Sequence, residues 1–305
     1  MRRVRRGKAR LRRAPRLIGF SLRYRHATYL GILILAILAP VTSAAQGVYV
    51  SIPPQAYLVE RLAGDFVEVG VLLPPGASPA TYEPTPKQMA ALDHSQLYLQ
   101  IGAPFEGPVL AKISDLMPDL RVVDCRVGVE LEPIGGDGHD HGFGLLDPHI
   151  WLDPQRMKTI ADTTARALQI LLPNESPMIE ERLAALHSAI DETDVRVAEA
   201  LAPFAGRTLL VFHPAFGYFT RRYGLIQKAV EVDGKAPSAR RLATVVDEIR
   251  QQPVPALFFQ PQFSRSAAER VAAALDCELV ELDPMAADYL ANLETMADRI
   301  VGALQ

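Results

Sequence analysis

Cysteine is nearly absent from this chain: among 305 residues there are two, Cys125 and Cys277. Their separation does not fit a cysteine zinc cluster. An exported protein can pair two such thiols only where the fold brings their Cα atoms within about 7 Å, and the spacing leaves that open. The sequence contains no His-Glu-x-x-His segment, so the helical metal-plus-base arrangement of a zinc hydrolase is missing. Short-period repeats and apolar heptads are also lacking, so no oligomer interface is marked and a monomer is expected. Once the first 25 residues are set aside the remainder is acidic, which argues against nucleic-acid binding.

Basic residues are concentrated at the beginning. Arg2, Arg3, Arg5, Arg6, Lys8, Arg10, Arg12, Arg13 and Arg16 precede the apolar stretch 29–39, and the small residues Ser43, Ala44 and Ala45 follow it. That order is the form of an export signal, with cleavage expected near Ala45 and a periplasmic mature protein. The apolar run of about 11 residues is too short for a helix to cross roughly 30 Å of hydrocarbon. No cysteine stands at the small-residue site, so a lipid-anchored N-terminus is unsupported.

From Val48 onward, short β-rich runs alternate with amphipathic stretches, the pattern of parallel α/β architecture. Strands are expected at 48–52, 67–73, 97–101 and 121–125, and again at 208–212, 227–232, 256–260 and 278–282. Thr85 before Pro86 reads as a helix cap with proline in the first turn, and Ser238 and Ser264 read as further caps. Helical patterns at 154–171 and 177–201 lie between the two series. The second is long enough, at about 1.5 Å per residue, to be a stiff spine of roughly 37 Å. The expected fold is two lobes of parallel βα units joined by a long rigid backbone helix. The divisions are signal 1–45, N-terminal lobe 46–175 with a loop at 135–146, helix 176–202 and C-terminal lobe 203–305.

Ligands of open parallel sheets bind beyond the carboxyl ends of the strands, which directs attention to His213 after Leu209–Phe212 and to Asp283 after Leu279–Leu282. His149 lies between two Asp-Pro pairs, at Asp147-Pro148 and Asp153-Pro154, near the junction of the lobes. Two imidazoles and a carboxylate form a borderline-soft set that suits Zn2+ and suits Mg2+ or Ca2+ poorly. Each residue alone has an ordinary structural reading: a strand-terminal Asp commonly forms turns, and a single His more often sits in a hydrogen-bonded core or surface setting. Asp147 and Asp153 are turn or cap candidates that would also orient His149. His139 and His141, on a glycine-rich acidic loop, form a candidate auxiliary metal-collecting pair. His94 and His187 read as structural.

Several blocks together resemble the TroA-like helical-backbone metal receptors, the zinc-binding solute-binding proteins of bacterial ABC importers. They are Leu73-Pro-Pro-Gly-Ala-Ser-Pro79 with Tyr82-Glu-Pro-Thr-Pro86, Asp147-Pro-His-Ile-Trp-Leu-Asp-Pro154, Phe212-His-Pro-Ala-Phe-Gly-Tyr-Phe219, Pro237-Ser-Ala239, Gln260-Pro-Gln-Phe-Ser264 and Leu282-Asp-Pro284. The resemblance covers nearly all of the mature chain. It implies little lobe motion, no catalysis, and delivery of one Zn2+ per chain, rather than Mn2+, to an inner-membrane permease, with a zinc metallochaperone as a further partner. His149, His213 and Asp283 coincide with family metal positions, and His213 is what favours zinc. The family's first ligand, a His, is replaced here by Ala80. Water, a histidine of the 135–146 loop, or Glu83, which resembles a family structural position, are the groups left to complete the coordination. Gln260 is an amide where many relatives look to have Glu. An exported metal-dependent hydrolase and a degenerate adhesin or sensor are the competing expectations.

Overall fold

All eight expected strands form, and they form two separate parallel sheets of the same design. The computed structural model describes residues 46–134, 146–231, 244–247 and 254–305. The expected signal segment, the loop histidines His139 and His141, and the Ser238 cap lie outside them. β1 (Gln46–Val50), β2 (Val67–Val71), β3 (Leu97–Gln100) and β4 (Arg121–Asp124) assemble in the order β2-β1-β3-β4. β5 (Thr208–Val211), β6 (Ile226–Ala229), β7 (Ala256–Phe259) and β8 (Glu278–Glu281) assemble in the order β6-β5-β7-β8. Several strands end before the expected runs do, because residues such as Ser51, Leu72, Ile101 and Phe212 turn out of the ladder while staying buried. Phe212, for example, still donates its N–H to the Phe258 carbonyl at 2.7 Å.

The helices follow from local chemistry. α1 (Pro53–Ala63) and α2 (Pro86–Asp93) start on proline, whose fixed φ suits a first turn and whose missing N–H costs nothing there. At α2 the expected cap is present: Thr85 Oγ1 accepts from the Gln88 N–H at 3.3 Å and the Gln88 side chain returns to the Thr85 N–H. α3 (Glu106–Leu116) precedes β4. α4 (Pro154–Leu171) buries Met157, Ile160, Ala161, Thr164, Ala165 and Leu168, one stripe at helical spacing. α5 (Ser176–Leu201) is the 26-residue spine. It packs against α1, α4 and α8 (Tyr289–Leu304), helices that precede and follow it in the chain. α6 (Gly217–Arg222) and α7 (Arg265–Leu275) complete the second half, with Ser264 capping α7 as expected.

One apolar cluster runs through the first sheet, the spine and the inner face of the second sheet, from Val50 and Leu99 through Ile190 to Val211, Phe216 and Tyr289. A second, smaller cluster lies between the outer face of the second sheet and α7 and includes Leu210, Leu257, Phe259 and Val271. Each large side chain fully buried in this way contributes about 1.5–3 kcal/mol. A shared core of this extent opposes independent movement of the halves. The two cysteines belong to different clusters and are unpaired: Cys125 is in the shared one, and Cys277 packs on the second. Burial pushes the Cys125 thiol up to about 12 and also raises Cys277, which keeps both as inert thiols.

Candidate metal site

The carboxyl ends of the second sheet line up in one row. Parallel pairing sets Val211 opposite Ala229 and opposite Phe258, so two residues farther along His213, Glu231 and Gln260 stand at the same level. The row is held by backbone and side-chain bonds. The Glu231 N–H donates to Phe212 O at 2.9 Å, and Gln260 Nε2 donates to His213 O at 2.7 Å. His213 Nδ1 lies 2.7 Å from Glu231 Oε2. Because a carboxylate only accepts, the ring donates from Nδ1, and Nε2 is the nitrogen presented for coordination. The His213 ring also stacks on Phe263, with centroids 4.8 Å apart and planes at 29°.

His149 is prepared in the same way from the other side. Asp147, fully buried, accepts with Oδ1 from the His149 backbone N–H at 3.0 Å and from ring Nδ1 at 2.7 Å. The short turn 150–152 then buries Trp151, whose Nε1 donates 2.8 Å across to the Pro284 carbonyl, the residue after Asp283. The two imidazoles meet edge to face at a centroid separation of 5.6 Å. Both line a cavity of about 380 Å³ whose walls include Pro79, Ala80, Gln262, Phe263 and Met285.

Asp147 is placed by the second half of the chain as well as by its own turn. The Tyr218 hydroxyl donates to its carbonyl at 3.3 Å and accepts from the Glu132 N–H at 2.9 Å. The Arg156 and Arg221 guanidinium groups lie over the Tyr218 ring at 4.7 and 4.9 Å from its centroid, and both pair with Glu132. Gly217 opens α6 where an added Cβ would come within 2.9 Å of Asp147 Oδ2, so only glycine permits this approach.

The remaining sequence candidates are distributed unevenly. Asp283 Oδ1 accepts from Gln262 Nε2 at 2.7 Å and from the Met285 N–H at 2.9 Å, so this carboxylate sits beside the cavity in contact with two of its lining residues. Among the described residues, no three His, Cys, Asp or Glu side chains are grouped closely enough to hold an ion together, so the two imidazoles form the assembled part. Asp153 caps α4 through the Gln155 N–H and pairs with Arg156, and it orients that arginine rather than His149. Glu83 is exposed and outside the cavity lining, whereas Ala80 is part of it. His94 ends α2 and His187 pairs with Asp162 on the helical surface, and neither is among the residues that line the cavity.

Sequence reasoning missed Glu231 and Phe263. Glu231 had a readable signal: an acidic residue two places past β6, at the level His213 occupies past β5. Asp147 Oδ2 and Glu231 Oε1 are buried without a hydrogen-bond partner among the described residues. Two buried carboxylates behind two imidazoles build negative potential at the paired rings, the carboxylate–histidine arrangement that strengthens an imidazole as a metal ligand.

Comparison with known proteins places this geometry. A family described as "Zinc-uptake complex component A periplasmic" matches residues 48–303. Among curated relatives, a high-affinity zinc uptake system protein ZnuA of Haemophilus ducreyi is 27% identical over 280 residues, covering 84% of this chain and 90% of the relative. A putative metal-binding protein of Chlamydia muridarum is 26% identical over 254 residues, covering 82% and 88%. A crystal structure of ZnuA superposes with a TM-score of 0.80 at 36% identity, covering 86% of this chain and all of that one. The periplasmic zinc binding protein TroA of Treponema pallidum shares the fold, with a TM-score of 0.77 at 24% identity over 86% and 99% of the chains.

Proposed function

The chain belongs to the family of periplasmic zinc-uptake complex components, and from that premise we propose that it captures one Zn2+ through Nε2 of His149 and His213, with Asp283 as a third ligand. Its function is that of an extracytoplasmic zinc-binding receptor for an ABC importer. The fold is the two-sheet architecture with a long central helix seen in the ZnuA and TroA structures. The ion is cargo, taken up between the halves and passed to a membrane permease.

The observation that carries this reading is the pair of imidazoles meeting at the cavity, each oriented by its own buried carboxylate. Orientation matters because a histidine ligand must present one nitrogen with its lone pair aimed outward, and a hydrogen bond at the other nitrogen fixes that tautomer. Desolvation matters as well: the 7% exposure of His149 limits competition from water for the bound ion. Asp283 enters through Oδ2, since its other oxygen is held by Gln262 and Met285. Borderline nitrogen ligands favour Zn2+ over Mn2+, whose preferred ligands are oxygen-rich.

The family is one of metal-binding transport receptors, and this reading assigns no catalytic group. Relatives described as periplasmic support a mature chain that begins after an N-terminal export signal near residue 45; the proposed receptor acts as a monomer. Among the described residues no helix is long and apolar enough to cross a membrane. The lobes of the reading are 46–175 and 203–305 on either side of the spine. His139 and His141 are assigned an auxiliary, collecting role, and a zinc metallochaperone is a further donor of the ion. Chelator-competition titration with Zn2+ and Mn2+ tests the reading: one Zn2+ per chain, bound more tightly than Mn2+, is expected. Absence of binding tighter than micromolar would overturn it.

A further inference from the structure

We propose that the chain takes up zinc together with a small neutral ligand carrying an imidazole-type nitrogen, which enters the cavity beside Ala80 and completes the coordination of the ion. The inference rests on the zinc-receptor reading and specifies the chemical form of its cargo.

Zinc in protein sites is usually four-coordinate, and the described residues present two imidazole nitrogens and one neighbouring carboxylate. Apart from the two histidines, most of the described cavity lining is apolar. Pro79, Ala80, Pro104, Pro148, Phe263 and Met285 offer no side-chain oxygen or nitrogen; of the polar lining residues, Gln260 is bonded to His213, Gln262 donates to Asp283, and Ser78 carries a hydroxyl. Ala80 is exposed and contributes only a methyl group to the lining. The space is also larger than a bare ion needs. At about 380 Å³ it falls within the roughly 300–1,000 Å³ of small-molecule pockets, which are likewise mostly apolar with a few placed polar groups.

Charge selects the class of ligand. Asp283, Asp147 and Glu231 already set three carboxylates around or behind the ion position, more negative charge than one Zn2+ carries. Among the described residues that line the cavity there is no lysine or arginine. A carboxylate, phosphate or thiolate ligand would therefore add uncompensated negative charge at a partly desolvated place. A neutral azole adds none. Its flat apolar face fits the proline, phenylalanine and methionine walls, and its nitrogen matches the borderline-soft character of zinc. Ala80, Pro104 and Leu146 are exposed lining residues, so substituents on the azole have an exit to solvent.

The test uses the full mature protein, with imidazole itself as the probe. At fixed free Zn2+, reported by a fluorescent chelator in the same solution, saturating imidazole is expected to raise zinc affinity at least tenfold. With Co2+ in place of Zn2+, the visible absorption bands should shift saturably with one imidazole per chain. Ala80→His should bind zinc without imidazole and show no further shift. Ala80→Phe, which fills the cavity without supplying nitrogen, should lose the imidazole effect. One metal bound per chain with no response to imidazole would overturn the inference and leave the receptor reading standing. No metal bound at any imidazole concentration would defeat both. A Co2+ spectrum altered by replacing His139 and His141 with alanine, in the absence of imidazole, would assign the extra ligand to the chain and overturn the inference.

Discussion

The two sheets have the same strand order and the same parallel direction, yet their carboxyl ends are finished in opposite ways. In the first, the ends are sealed. The Gln55 carboxamide accepts from the Ser51 and Ile52 N–H groups and donates to Leu99 O, while Glu106 accepts from the Ile101 and Gly102 N–H groups. Burial raises the pKa of Glu106 despite those two N–H donors, as fits a structural plug. In the second, the same row carries His213, Glu231 and Gln260 and faces the cavity. The first half contributes its imidazole from a turn beyond its last strand, at His149, and holds it with contacts from the second half. Topology supplies two equivalent places for a ligand, and side-chain choice closes one and opens the other.

Substitutions that remove the open row should therefore matter far more than those in the sealed one. His149→Ala and His213→Ala are each expected to lower zinc affinity by well over the about 10–100-fold typical of orienting partners, measured by chelator competition. Asp147→Asn and Glu231→Gln remove those partners and should each cost about 10–100-fold with the folded circular dichroism spectrum retained. Equal, negligible losses for both would mean that the carboxylates stabilise the fold rather than the ligands.

The sealed places and the lobe contacts give smaller effects. Trp151→Phe loses the bond to Pro284 O and leaves that carbonyl unpaired, costing about 1–3 kcal/mol of stability in urea unfolding. A still smaller effect is expected from Asp194. Burial raises its pKa, but bonds from Arg222, Gln155 and Tyr223 outweigh that and hold it below the ordinary value near 3.8. A carboxyl whose pKa is depressed by folding stabilises above the unfolded value, and the contribution is lost as pH falls through the folded one. Asp194→Asn should thus flatten the loss of stability below about pH 4 and leave zinc binding at neutral pH unchanged.

The strands and helices were legible because apolar runs of four to six residues and the Thr85-Pro86 and Ser264 caps are local signals. The site was legible in part. His213 and Asp283 each end an apolar run and precede a proline, His149 lies between two Asp-Pro pairs, and the structure brings the two histidines together. Glu231 escaped because its acidic position past β6 gains its meaning only through the register between β5 and β6, which sets it level with His213. Asp153 misled for the converse reason: its place in a symmetrical Asp-Pro frame suggested a bond to His149, but helix capping and Arg156 claim it. The cysteines lacked any local signal for pairing, and their separation into different clusters settles them as free.

The central claim is that two carboxylate-backed histidines, one from each half, hold a zinc ion. The most direct measurement is competitive titration of Zn2+ against wild type, His149→Ala and the His149→Ala/His213→Ala double variant at neutral pH. The account predicts one ion per chain in wild type, bound more tightly than micromolar, with binding nearly abolished in both variants. Undiminished binding in the double variant would contradict it.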